Sequence, residues 1–188
     1  MKYIRRLLWF VATRLVMISA IVGLLTLVFY LSMNTANIYL LLSDGMRLRA
    51  EVILTRDNAE EMTSFFTDEF LLEDETLAIG LSEQSPYVDY KISSFNYEMS
   101  MEWMWAWPWE NTATATIVEK VPRIVGSVRT NSKDLLKAGT ISANPPGWYG
   151  GRYTVTLTRI NGQWKIAGLN QTQLIIEPTP VPAQPIQP

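Results

Sequence analysis

Residues 152–169 read RYTVTLTRINGQWKIAGL, and this stretch decides the fold class. Two runs rich in β-branched and aromatic residues flank Asn161-Gly162. A type I′ turn needs two positive φ angles, which Asn and Gly supply at low cost, so the reading is an antiparallel hairpin of 152–160 with 163–169. Tyr153, Val155 and Leu157 share one face, and Trp164 and Ile166 alternate opposite them.

Upstream, residues 112–128, TATATIVEKVPRIVGSV, predict a long strand with a bend or an edge at Pro122. Before it, Phe95, Tyr97, Met99, Met101, Trp103, Trp105, Trp107 and Trp109 fall on alternate positions with Asn96, Glu98, Ser100 and Glu102 between them. That period of two belongs to a strand, with one aromatic face. Pro108 confines its last part to an edge or a bulge. The plainest role for Trp103, Trp105, Trp107 and Trp109 is a packing face beneath helices; a partner interface, an apolar pocket and contact with a lipid surface are the functional alternatives.

Helices come first in the chain. Leu41, Leu42, Met46, Ala50 and Ile53 recur near the helical period, although Gly45 weakens an unbroken helix. Asp57 and Glu60 have the spacing of a capping box, and the helix it predicts buries Met62, Phe65, Phe66 and Phe70. Between the long strands and the hairpin, 129–151 reads as a loop with a helical turn at SKDLLKAG.

At the start of the chain, Leu15 to Met33 is a run of nineteen uncharged residues, LVMISAIVGLLTLVFYLSM. At ~1.5 Å per residue it reaches roughly 28 Å, close to the thickness of a bilayer's hydrocarbon. Lys2, Arg5, Arg6 and Arg14 precede or border it, and Trp9 suits the interface. This basic flank predicts a cytoplasmic N-terminus and a cell-membrane protein whose body lies on the far side. The run is longer than a signal peptide's apolar region and leads into Met33-Asn34-Thr35-Ala36 rather than a small-x-small site, so an uncleaved anchor is expected. The expected layout is a cytoplasmic stub and anchor at 1–33, a helical connector at 34–56, an α+β domain at 57–177 and a proline-rich tail at 178–188.

The 188 residues carry a net charge of −2 and contain neither His nor Cys. That excludes Ser-His and Cys-His nucleophiles, zinc sites of the usual kind and disulfides. Outside the basic leader the chain has 12 basic and 18 acidic residues, which argues against nucleic acid as a partner. Acids crowd 57–75, including Glu60, Glu61, Asp68 and Glu69, whereas 119–137 is basic and includes Arg123 and Arg129. These are candidate charged interaction faces. No phosphate loop surrounds Gly126 or Gly150-Gly151, and DEFLLEDE at 68–75 lacks EF-hand spacing.

The order of helices, long antiparallel strands and a closing Arg159-Ile160-Asn161-Gly162-Gln163-Trp164-Lys165-Ile166 hairpin resembles the nuclear transport factor 2-like superfamily, the SnoaL-like or cystatin-like cone fold, over roughly 38–170. The resemblance implies helices packed in the concavity of a strongly curved antiparallel sheet. A single membrane helix before such a domain is similar to the inner-membrane assembly factors of type IV secretion and conjugation and to certain sporulation channel proteins. It implies a non-enzymatic scaffold with a protein partner or a second copy of itself, alongside the lipid bilayer, and no cofactor. Enzymes of the superfamily place an Asp or Asp-His pair in the cone; no residue here matches, so no catalytic residue is carried over. An apolar-ligand binder or enzyme using the cone cavity is the rival expectation.

Overall fold

The computed structural model describes residues 2–57, 59–107 and 109–176, apart from the side chains of residues 2, 4, 5, 7 and 8. The expectations placed on the Arg5 side chain, on Pro108 and on the tail at 178–188 lie outside the described residues.

Helix α1 runs without a break over Lys2–Thr55, 54 residues and therefore about 80 Å. Its two halves meet different surroundings. From Trp9 to Met33 its large apolar side chains are exposed, and this stretch is long and apolar enough to cross a membrane. The hydroxyls of Thr13, Thr26 and Ser32 donate to the carbonyls of Trp9, Val22 and Val28 at 2.7, 2.9 and 2.9 Å, so these polar groups in the apolar half are satisfied within the helix. From Asn34 onward a stripe of Asn34, Ile38, Leu42, Met46, Arg49, Ala50 and Ile53 is buried. Steps of three and four keep these residues on one side, so residues 34–55 form the central core helix of the domain. Gly45 does not interrupt it. A Cβ there would meet Phe65 Cβ at 3.0 Å and Ile166 Cδ1 at 3.2 Å, so the glycine lets the next segment lie directly on α1.

Arg56, with φ 61°, ends the helix. The expected capping box does not form: Glu60–Ser64 is a 3₁₀ turn after Ala59 with no side-chain cap. The physical reason lies on the sheet. Ile166 N donates to Phe65 O at 2.8 Å and Thr67 N to Ile166 O at 2.9 Å, so Phe66 bridges to a strand, Thr67 is extended, and the expected helix is divided there. Helix α2 (Asp68–Glu73) starts afresh with Thr67 as its cap, and α3 (Glu75–Leu81) follows with Asp74 as its cap. Met62, Phe66 and Phe70 are buried and Phe65 is half-buried.

The strands β1 (Tyr90–Trp105), β2 (Thr112–Val128), β3 (Gly150–Ile160) and β4 (Gln163–Ile175) form one antiparallel meander in the order β1-β2-β3-β4. A short helix, α4 (Lys133–Lys137), lies between β2 and β3. Asn161 and Gly162 have φ 51° and 82°, as the hairpin reading requires. Strands β2 and β3 pair only between Thr112 and Glu119, and the β1–β2 register shifts across Pro122, between Lys120 and Arg123. Ala113, Ala115, Ile117, Tyr153, Val155, Leu157, Trp164 and Ile166 form the buried face, with the helices packed on it. The architecture is α+β, with the helices gathered on one side of an antiparallel sheet.

One expectation fails at a single residue. The β1–β2 register shifts between Met101 and Trp103, so Glu102 is an extra residue in β1. Because side chains alternate, one added residue sends everything beyond it to the other face. Phe95, Tyr97, Met99 and Met101 point inward as read, and then Met104 and Ala106 take over the inner positions. Trp103, Trp105 and Trp107 are turned outward and stand exposed, so they do not form a packing face beneath the helices.

Candidate functional site

The inner face of the sheet is not filled throughout. A cleft of about 860 Å³ opens between the distal part of α1, α3 and the strands β3 and β4, with residues 146–149 as its far wall. Its lining is mixed: Ile53, Ile79, Tyr87, Trp148, Tyr149, Tyr153 and Leu169 give it an apolar and aromatic side, and Glu73, Asp74, Glu75, Thr76 and Gln171 a polar one. The loop NPPGWYGG at 144–151, with two prolines and three glycines in eight residues, carries Trp148 and Tyr149 to this position.

The cleft has an ionic floor. Arg49 reaches it from the buried stripe of α1 and donates from Nε to Asp74 Oδ2 at 2.6 Å and from Nη2 to Asp74 Oδ1 at 2.8 Å. Asp74 Oδ1 also accepts from the Leu77 amide at 3.1 Å, so one carboxylate caps α3 and clamps α1 together. Both side chains are nearly inaccessible. Burial works against the charge on Arg49, yet its bonds to Asp74 and the charges of Asp74 and Glu119 outweigh it and hold Arg49 above its ordinary value.

Behind this pair lies Glu119. It stands on β2 in line with Ala113, Ala115 and Ile117, so strand alternation carries its carboxyl into the core, where it is 0% exposed. Neither oxygen has a hydrogen-bond partner within 3.5 Å, nor does the neighbouring Tyr97 hydroxyl, which acts on the carboxyl at longer range. Burial, with the charge of Asp74 added, pushes Glu119 up from 4.5 to about 7, against the opposing pull of Arg49 and Tyr97. Burial also raises Tyr97, and lifts Tyr153 to about 12. Tyr153 lies across Gly151, where any Cβ would be 2.8 Å from its ring.

In chemical terms the floor is committed. The oxygens of Asp74 are engaged by Arg49 and a helix amide, and Glu119 is not among the residues lining the cleft. The opening therefore presents an apolar wall beside an ion-paired floor, with Glu73 and Glu75 also on its lining, an arrangement suited to holding a ligand.

The residues singled out from the sequence lie elsewhere. Trp103, Trp105, Trp107 and Trp109 line no part of this cleft. Glu60 and Glu61 are exposed on the 3₁₀ turn, Asp68 and Glu69 on the first turn of α2, and these elements pack on α1 and β4. Arg123 is exposed on β2 opposite Asn96, and Arg129 turns back to donate from Nε to the Tyr90 carbonyl at 2.9 Å. Arg6, Trp9 and Arg14 are exposed on the first turns of α1, with the Arg14 guanidinium 5.4 Å from the Phe10 ring centre. Arg49, Asp74 and Glu119 were not expected as site residues. Arg49 and Glu119 carried signals, as a charged residue on the apolar stripe of a helix and another on the apolar face of a strand, whereas Asp74 carried none.

Comparison with protein-family models, with curated proteins and with solved structures finds no match to this chain.

Proposed function

We propose that the chain is a single-pass membrane protein with a cytoplasmic N-terminus, and that its extracytoplasmic domain is a non-enzymatic interaction module. On this reading the domain binds an extended, alternately apolar segment of a partner protein along the outer edge of β4. The observation that carries the proposal is the open cleft beside an edge strand. Strand β4 is last in the sheet, and among the described residues only Phe65–Thr67 pairs with its outer edge, at Ile166. Beyond that point Gly168, Leu169, Gln171 and Leu174 border the cleft. Added strands gain main-chain hydrogen bonds from such an edge and specificity from alternate side chains seated in an adjacent pocket. The likeness to the nuclear transport factor 2-like cone and to membrane-tethered assembly factors is part of the same proposal, and four antiparallel strands with helices on one side agree with it.

The test is a selection of displayed peptides on the full chain in lipid nanodiscs. Selected peptides are expected to alternate apolar and polar residues, to protect the amides of 168–175 from hydrogen exchange, and to lose binding when alternate peptide amides are methylated. Trp148→Ala is expected to weaken binding at least about tenfold, roughly 1.4 kcal/mol. Binders that leave exchange in β4 unchanged would refute strand addition. A copurifying apolar small molecule that fills the cleft would favour the ligand-binding alternative.

A further inference from the structure

We infer that the β1–β2 hairpin is a second membrane contact, with Trp103, Trp105, Trp107 and Trp109 seated in the headgroup region beside the point where α1 leaves the bilayer. The inference rests on the reading that α1 crosses a membrane.

The four rings are exposed, Trp107 by 40% and Trp109 by 71%, and Trp105, Trp107 and Trp109 gather together. Trp105 and Trp107 meet edge to face at 5.1 Å, and Trp107 stacks on Trp109 at 4.9 Å. So large an apolar patch facing outward calls for an occupant. Its place in the fold says which one. The uncharged run of α1 ends at Met33, and the next residue, Asn34, accepts through Oδ1 from Trp164 Nε1 at 2.8 Å and Arg159 Nη2 at 3.1 Å. The Arg159 amide in turn donates to the Asn111 carbonyl at 2.7 Å, and Trp109 lies only two residues before Asn111 in the turn, at most about 7 Å of chain. Independently, Met101 shares a groove with Val28, Leu31 and Thr35 of α1. The hairpin tip therefore sits at the level where the apolar half of α1 gives way to the domain. The other end of β1, at Tyr90, packs near α4, roughly 50 Å of strand away. Tryptophan has an apolar body and one N–H donor, and it concentrates at the boundary between hydrocarbon and headgroups. Residues 103–111 contain no Lys or Arg, so the contact depends on burial of rings and not on anionic lipid.

The chain has no cysteine, so single-cysteine variants of the full protein can be spin-labelled in phosphatidylcholine nanodiscs. Leu24→Cys reports on the span, Trp107→Cys on the hairpin and Leu135→Cys on the distal end. Labels at 24 and 107 are expected to collide with oxygen and to be shielded from a water-soluble nickel chelate, while 135 behaves as in water. A lipid-like 24 with a water-like 107 would overturn the hairpin contact and leave the span standing. A water-like 24 would overturn the span, and the hairpin contact with it. Disulfide crosslinking of Trp107→Cys between copies would assign the rings to a second chain and overturn the lipid contact. A second measurement keeps all four rings: in Trp9→Phe, acyl-brominated lipid is expected to quench more than half of the tryptophan emission, since four of the six remaining tryptophans lie in the hairpin. Unchanged emission would refute the proposal.

Discussion

The sharpest prediction concerns Glu119. In the unfolded chain its carboxyl has an ordinary value near 4.5, and in the folded domain burial pushes it to about 7. Between those values the folded state keeps a proton that the unfolded state releases. The contribution of Glu119 to stability is therefore complete below about pH 4.5 and is lost as pH rises through about 7. At about 1.36 kcal/mol per unit, the full swing is on the order of 3 kcal/mol, or about 6–12 °C in Tm for a domain of this size. No histidine titrates in this window, because the chain contains none. Thermal unfolding of the full chain in nanodiscs, followed by near-ultraviolet circular dichroism from pH 4.5 to 8, is expected to show a falling Tm. Glu119→Gln is expected to flatten that slope. Its absolute stability at low pH falls by about 1–3 kcal/mol if the amide finds no partners, so the slope is the diagnostic quantity. A wild-type Tm that is level or rises with pH, or a glutamine variant with the same slope, would refute the reasoning.

Two other residues give equally direct tests. Arg49→Met strands the Asp74 carboxylate in the core and is expected to cost about 3–5 kcal/mol in denaturant unfolding, with much of that recovered in the double variant Arg49→Met, Asp74→Asn. Strict additivity of the two single effects would show that the pair is not coupled. Asn34→Ala removes the acceptor shared by Arg159 and Trp164 and is expected to destabilise the domain by about 1–3 kcal/mol, with faster hydrogen exchange at residues 159–164. Unchanged exchange there would mean that the Asn34 contact does not hold the β3–β4 hairpin to α1.

The hairpin at Asn161-Gly162 was legible in the sequence because its turn chemistry is local, and the apolar stripe of α1 because helical spacing is explicit. The direction of the tryptophans was not. The bulge at Glu102 leaves the alternation of residue types intact while the backbone changes face, so periodicity alone points the rings the wrong way. The division of the expected helix after Asp57 depends on Phe65–Thr67 bonding to Ile166, a partner about a hundred residues distant in sequence. Asp74 was hidden by company, one acid among eight in 57–75, and only Arg49 distinguishes it. Glu119 was the most readable omission. It sits at an inward position among alternating threonines, alanines and isoleucine, where a carboxylate conflicts with its surroundings.

The continuity of α1 also has a mechanical side. No loop separates the apolar half from residues 34–55, so in a bilayer the domain cannot swivel independently of its tether. The upper half is a lever roughly 33 Å long, and a tilt of about 20°, ordinary for a spanning helix, would sweep its tip sideways by about 11 Å. Membrane thickness or a neighbouring helix that alters that tilt would thus steer where the cleft points.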